Sequence, residues 1–301
     1  MKSVGESMGE LNRQVDTDWV QAILSDPQVA EFITSYQLTQ HEINISLSKF
    51  NQFLLERRKY ETNDATYHAK GYRPILVMNE GYADVTYQET KELIEAQKAQ
   101  AITKNINLVN LPKSYKNITF RDIDPTASKL AVLNILVDFV EQYPKEGQKG
   151  LYLYGDMGIG KSYFMAALAH EMSVLGVATT MVHFPSYVLD VKNAISTGTV
   201  KEMVDAIKLA PVLILDDIGA EQATSWVRDE VLQVILQYRM TENLPTFFTS
   251  NYSFLDLEAK WANIKGNDET WQARRVLERV RYLANEFHLE GGNRRHDAME
   301  E

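Results

Sequence analysis

The feature that most constrains this chain is the octet Gly155-Asp156-Met157-Gly158-Ile159-Gly160-Lys161-Ser162, placed between two apolar segments. Residues 151–154 (LYLY) read as a short buried strand, and YFMAALAHEM from Tyr163 onward reads as a helix. A strand, a loop of the form G-x-x-x-x-G-K-[ST] and a helix in that order make a phosphate cradle. Its glycines let the backbone curl until N–H groups and the helix N-terminus surround the anion. Gly155 to Tyr163 are therefore expected to hold ATP, with Lys161 on the β- and γ-phosphates and Ser162 on Mg²⁺. A plain glycine-rich turn is the alternative, and the strand and helix flanking the octet argue against it.

The rest of the C-terminal two-thirds supports a nucleotide site. Residues 212–215 (VLIL) form an apolar run ending in Asp216-Asp217, a strand that delivers carboxylates to the edge of a sheet. Asp216 would hold Mg²⁺, and Asp217 would orient or deprotonate the attacking water. The next strand, 246–249, runs into Ser250-Asn251, where the amide could reach the γ-phosphate or simply cap the turn before Phe254. In QARRVLERVRY, Arg274, Arg275, Arg279 and Arg281 lie along one helix, with Arg275 and Arg279 one turn apart. Such a stripe is ordinarily a solvated face. Beside a P-loop, an arginine finger aimed at a neighbouring subunit's γ-phosphate is the sharper reading.

Strands expected at 151–154, 177–183, 212–215, 246–249 and 287–289 alternate with helical patterns, so an α/β domain with a parallel sheet covered on both faces is predicted over 117–301. Ahead of it, 18–24, 27–37 and 39–60 carry helical apolar spacing, 72–87 reads as a hairpin broken at Asn79-Glu80-Gly81, and 88–103 reads as a helix. This makes 1–105 a smaller, mostly helical domain with a hairpin. The polar stretch 106–116, with Pro112, reads as a linker.

The chain has 301 residues, 45% of them hydrophobic, enough for two cores. No cysteine is present, so disulfides and thiolate zinc sites are excluded. A net charge of −10 excludes a broadly basic coat for duplex DNA, and any nucleic-acid contact must be local. Residues 1–11 lack an apolar leader and no long apolar run occurs, so a cytoplasmic protein without a membrane partner is expected.

Together GDMGIGKS, LILDDIGAE, FFTSN, ARRVLERVRYLA and the terminal EGGNRR resemble the bacterial replicative-helicase loaders of the DnaC/DnaI group of AAA+ ATPases, the DnaI type more closely. GYRPILVMNEG and the helices before it resemble the helicase-binding domain of the DnaI type. The resemblance implies that 1–105 grips the replicative DNA helicase hexamer. It implies too that the ATPase domain self-associates head to tail and engages single-stranded DNA. A weak, partner-stimulated ATPase is expected, because most relatives carry Glu where Asp217 stands. The resemblance places the finger at Arg275, or at Arg279 if the alignment slips by one turn.

DNA contacts are implied on the helical insertion near 184–207, where Tyr187 could stack on a base and Lys192 could track phosphates; a solvated helix pair is the alternative. Many DnaI-type N-terminal domains carry a cysteine-ligated zinc. Here His41 and His68 are too few to replace it, so no zinc is expected. Two other readings stay open: an IstB-type ATPase assisting a transposase, and an ATP-switched binding module with negligible turnover.

Overall fold

The computed structural model describes residues 18–145, 147–222, 224–264 and 267–292. The leader reading for residues 1–11 and the last three residues of EGGNRR lie outside these. Two compact units are present, Met1–Lys98 and Ala99–Glu301.

In the first unit, helix α1 (18–24) leads to α2 (Pro27–Ser35) and α3 (Gln40–Glu61). Local chemistry sets both starts. The Asp26 carboxylate accepts from the N–H groups of Gln28 (3.1 Å) and Val29 (3.3 Å), with Pro27 in the first turn where its missing N–H costs nothing. Thr39 and Glu42 form a reciprocal capping box, each satisfying the other's backbone N–H. Strands β1 (Tyr72–Asn79) and β2 (Tyr82–Glu89) pair antiparallel around Glu80-Gly81, whose φ values of 47° and 88° fit a two-residue hairpin turn. The hairpin lies against α3: Phe50, Phe53 and Ala83 are buried with Ile23, Val29 and Phe32, and the Ser46 hydroxyl accepts from the Ala83 N–H at 2.9 Å. Gln88 and Glu89, expected to open a helix, instead extend β2; Gln88 pairs with Arg73 across the ladder. Helix α4 (Lys91–Asn105) follows, and the division between the units falls within it.

The second unit is built on a six-stranded parallel sheet in the order β10-β4-β7-β6-β5-β3, which bears out the α/β expectation. Its strands are β3 (Ile106–Val109), β4 (Gly150–Tyr154), β5 (Thr179–His183), β6 (Val212–Asp216), β7 (Thr246–Ser250) and β10 (Ala284–His288), while β8 (Asn263–Ile264) and β9 (Asn267–Asp268) form a minor hairpin. Helices α5 (Ala127–Gln142) and α6 (Lys161–Val174) cover one face. The other face carries α7 (Phe184–Ala194), α8 (Val200–Lys208), α9 (Gln233–Thr241), α10 (Phe254–Ala262) and α11 (Thr270–Leu283), with a π-helical turn at Val227–Leu232 leading into α9. Strand β6 shows why the sheet must be covered twice: Val212 and Ile214 enter one core, Leu213 and Leu215 the other, and all are fully buried.

The stretch read as a linker differs from expectation, because Ile106–Val109 is the edge strand of this sheet, paired with β5. Four residues are too few to show a period against their polar surroundings. Strand β10 likewise starts at Ala284, earlier than expected, because the exposed Asn285 and Glu286 mask an edge strand. A sheet-bottom clamp is supplied by Arg239, which has no exposed surface. It donates to the carbonyls of Ala210 (2.6 Å), Lys208 (3.0 Å) and Pro245 (2.6 Å) and to the Thr246 hydroxyl (2.8 Å). Among the described residues no helix is long and apolar enough to cross a membrane.

The cap of α2 yields a pH prediction. The Arg57 guanidinium, donating to both oxygens of Asp26, holds that carboxyl below its usual range, aided by the Val29 and Gln28 N–H groups and opposed by partial burial. A depressed folded pKa contributes stability above the ordinary carboxylate range, lost as pH falls through the folded value. Arg57→Met should therefore destabilise α2 at pH 7, with the difference from wild type shrinking below about pH 4. Hydrogen exchange of the α2 amides, corrected for intrinsic rates, measures this.

Candidate nucleotide site

The octet folds as its composition requires. Gly155, Gly158 and Gly160 have φ of 150°, 79° and 103°, values that side chains rarely adopt. At Gly155 a Cβ would also lie 2.3 Å from the Leu289 carbonyl oxygen, so the loop's start needs glycine for two independent reasons. Gly160 then caps α6, and Lys161 is its first residue.

Five side chains gather where β4, β6 and β7 end. The Lys161 ammonium, 7% exposed, donates to the carbonyls of Gly155 (2.7 Å) and Asp156 (2.8 Å) and to Asn251 Oδ1 (2.8 Å). The Asn251 amide nitrogen donates to Asp217 Oδ1 at 3.2 Å. Thr249 acts twice: its hydroxyl donates to Asp216 Oδ1 at 2.7 Å and accepts from the Asp217 N–H at 2.8 Å. Asp216 is 3% exposed, and burial pushes its carboxyl above the usual range against the opposing pull of the Thr249 and Ser162 hydroxyls, with the neighbouring Asp217 charge adding to the rise. Asp217 has φ of 61°, a left-handed backbone that an Asp tolerates better than most residues. A buried carboxylate beside neutral oxygens is the donor chemistry that a hard cation takes, and Ser162 and Asp216 are the pair that could hold one.

These residues line a cleft of about 1020 Å³. Sequence reasoning placed its phosphate end but missed its other wall. Asn110, Leu111, Pro112, Tyr115 and Ile123 also line it, as does Lys129, a buried lysine from α5. Apart from Lys129, they belong to the stretch at 110–123, which carries no motif. His183 and Ser186 enter from β5 and α7, bonded at 2.8 Å, and His183 is in register with Asp216. Thr249 carried no signal beyond lying in the strand that runs into Asn251.

Of the arginines, Arg274 pairs with Glu258 (3.2 Å) and Arg281 with Glu278 (2.8 Å). Arg279 donates to Gln237 Oε1 at 2.9 Å and to the Arg275 carbonyl, while the exposed Arg275 side chain has no polar partner among the described residues. The DNA-stacking expectation for Tyr187 is overturned. The ring is 2% exposed, packed in the core near Phe184, and its hydroxyl is buried and unpartnered. The residues Phe184, Tyr187, Val188 and Val191 recur at helical spacing and form the inner face of α7. Lys192, on the same helix, stays partly exposed.

Comparison with known proteins agrees with this architecture. The model of the primosomal protein DnaI N-terminus matches residues 1–87, and that of the IstB-like ATP binding protein matches residues 77–299. The replicative helicase loader DnaI of Bacillus subtilis (strain 168) is 35% identical over 286 residues, covering 91% of each chain. A solved structure described as a candidate primosome component of Streptococcus pyogenes serotype M3 is 64% identical, with TM-score 0.56, covering 64% of this chain and 97% of its own. A crystal structure of DnaI is 38% identical, with TM-score 0.58, covering 62% and 98% respectively. An ATP-binding AAA+ sheet preceded by a DnaI-type N-terminal region places this chain in the DnaI family of replicative helicase loaders.

Proposed function

We propose that the chain is an ATP-dependent loader. Its N-terminal domain, residues 1–105, grips the replicative helicase, and its ATPase domain self-associates and delivers that helicase to single-stranded DNA. The observation that carries the reading is the joining, in one chain, of the Lys161–Asn251–Asp217 cluster to an N-terminal region matching the DnaI model. A transposase helper of the IstB type would need the ATPase part alone, and the match over residues 1–87 favours the loader.

In this reading Lys161 leaves its loop carbonyls for the β- and γ-phosphate oxygens. Ser162 and the ionised Asp216 hold Mg²⁺, which when bound spreads the charge developing on the phosphoryl group. Asp217 directs a water at the γ-phosphate, and Asn251 fixes that carboxylate while sensing the same phosphate. The shorter reach of Asp at this position keeps turnover slow until partners complete the site. Arg275 is the residue left to enter a neighbour's cleft, with Arg279 holding the backbone of that turn. Lys192 contributes a local contact to single-stranded DNA.

Thr249→Val should separate binding from chemistry. ATP affinity should stay within about threefold while turnover drops by roughly tenfold or more, with a stability loss of about 1–3 kcal/mol from the unpaired Asp217 N–H and the buried Asp216. Calorimetric titration, a phosphate-release assay and urea unfolding read the three quantities. Arg275→Ala should leave ATP binding intact and lower turnover only where subunits assemble; equal turnover in the assembled wild type and variant would remove the finger assignment.

The loader reading is tested by light scattering of the protein mixed with its host's replicative helicase and ATP, comparing the full chain with one lacking residues 1–105. Only the full chain should join the hexamer. If neither does, the function must be reopened toward a transposase helper.

A further inference from the structure

Glu221 is a buried acid, 5% exposed, that phosphate chemistry at this site does not use. Its two oxygens have separate tasks. Oε2 accepts from the Gly219 N–H at 2.7 Å, and Oε1 accepts from the Trp261 indole N–H at 3.3 Å. The first bond closes the loop that begins at Asp217. Within that loop Asp217 and Gly219 have φ of 61° and 92°, and the Ala220 N–H donates to the Asp217 carbonyl at 3.2 Å. Gly219 adopts its φ without strain, whereas the left-handed Asp217 is held only where surrounding bonds over-determine it.

The second bond leads away from the cleft. Trp261, 1% exposed, lies near the end of α10, and its carbonyl accepts from Arg228 Nη1 at 2.9 Å. Arg228 belongs to the π-helical turn, and its Nη2 is 2.7 Å from Glu269 Oε2. Glu269 is the residue before α11, and its carbonyl accepts from the Ala273 N–H in the first turn of that helix. Arg275 follows within the same turn and a half. Packing runs in parallel with these bonds: Leu257 of α10 lies so close to Gly219 that an added Cβ would fall 2.7 Å from its Cδ1. Every link in the series is a hydrogen bond or ion pair between groups that are largely buried, where such bonds are strong and their loss is costly.

We infer that Glu221 is a positioning residue that holds Asp217 in its working geometry and couples it, through Trp261, Arg228 and Glu269, to the helix bearing Arg275. This rests on the ATPase reading above. It gives the two ends of the head-to-tail assembly a physical link within one subunit: what moves Asp217 when the γ-phosphate arrives also moves the start of α11. Burial raises the Glu221 carboxyl above its usual range, and the bonds from the Gly219 N–H and the Trp261 indole oppose that rise.

The test uses the full chain with Glu221→Gln and Trp261→Phe. Glutamine offers one acceptor oxygen where two are used, and phenylalanine removes the indole N–H together with the pyrrole part of a fully buried ring, a packing loss that the melt reads separately. With the fold verified by thermal melting, Glu221→Gln should lower kcat about tenfold with KM for ATP within twofold, and Trp261→Phe should act in the same direction about threefold. Hydrogen exchange with a non-hydrolysable ATP analogue and Mg²⁺ should show protection of residues 270–276 in the wild type, and its loss in both variants. Wild-type kcat in the variants, or wild-type exchange without nucleotide-dependent change at 270–276, overturns the inference. If Glu221→Gln fails to fold, Trp261→Phe decides it by the same readouts. If the wild type shows no turnover even with single-stranded DNA, the ATPase reading falls, and the exchange experiment still decides the coupling.

Discussion

A carboxylate nine-tenths buried has to be given partners or it will take up a proton, and the second unit is arranged around that demand at Asp216. The register of β6 on β7, which pairs Leu215 with Phe248, brings Thr249 beside Asp216. One hydroxyl then serves both acids, donating to Asp216 and accepting from the backbone of Asp217. A parallel sheet is what permits this, since all of its strands deliver their C-terminal ends to the same edge. Lys161 arrives at that edge on α6, and Asn251 on the turn after β7. The amide of Asn251 bridges the cation and the second acid with one atom each. Shift β7 by one residue and Phe248 or Ser250, according to direction, would take the place of Thr249 beside Asp216.

Much of this was legible before any coordinates, for identifiable reasons. The phosphate loop is readable because its chemistry is local: three left-handed positions demand glycine, and the lysine and serine must follow at fixed spacing. Asp216 and Asp217 are readable because a fully buried strand shows an unbroken apolar run with a sharp polar end. Strand β3 was hidden because an edge strand of four residues has no room for a pattern, and the first residues of β10 because the exposed Asn285 and Glu286 break the apolar run that marks its end. The far wall of the cleft, from Asn110 to Ile123, was hidden for a different reason. Its residues are brought there by tertiary packing, and nothing in their order announces it. Tyr187 was misread because an aromatic in a lysine-bearing helix looks like a stacking platform until its neighbours at helical spacing are counted as one face.

The arginines of α11 show how position divides labour among identical side chains. Arg274 and Arg281 both reach Glu258 on α10, so they fasten the two helices together. Arg279 is drawn toward the body of the protein by Gln237 on α9. Its charge is disfavoured by partial burial and by the nearby Arg275, which is the arrangement expected of a side chain serving its own subunit. Arg275 is left extended at the surface with its five donors uncommitted among the described residues. A guanidinium so placed exchanges only water for a phosphate, breaking no bond to the described residues, and its planar fork suits that partner better than an ammonium would. The same helix begins at Glu269, whose carboxylate holds Arg228 and the Ser225 hydroxyl. The helix that carries Arg275 is therefore anchored by buried polar bonds reaching back toward the loop after β6, the strand that ends at Asp216. An exposed arginine held by its own flexibility alone would carry no information about whether ATP is bound behind it; one whose helix is anchored in this way can.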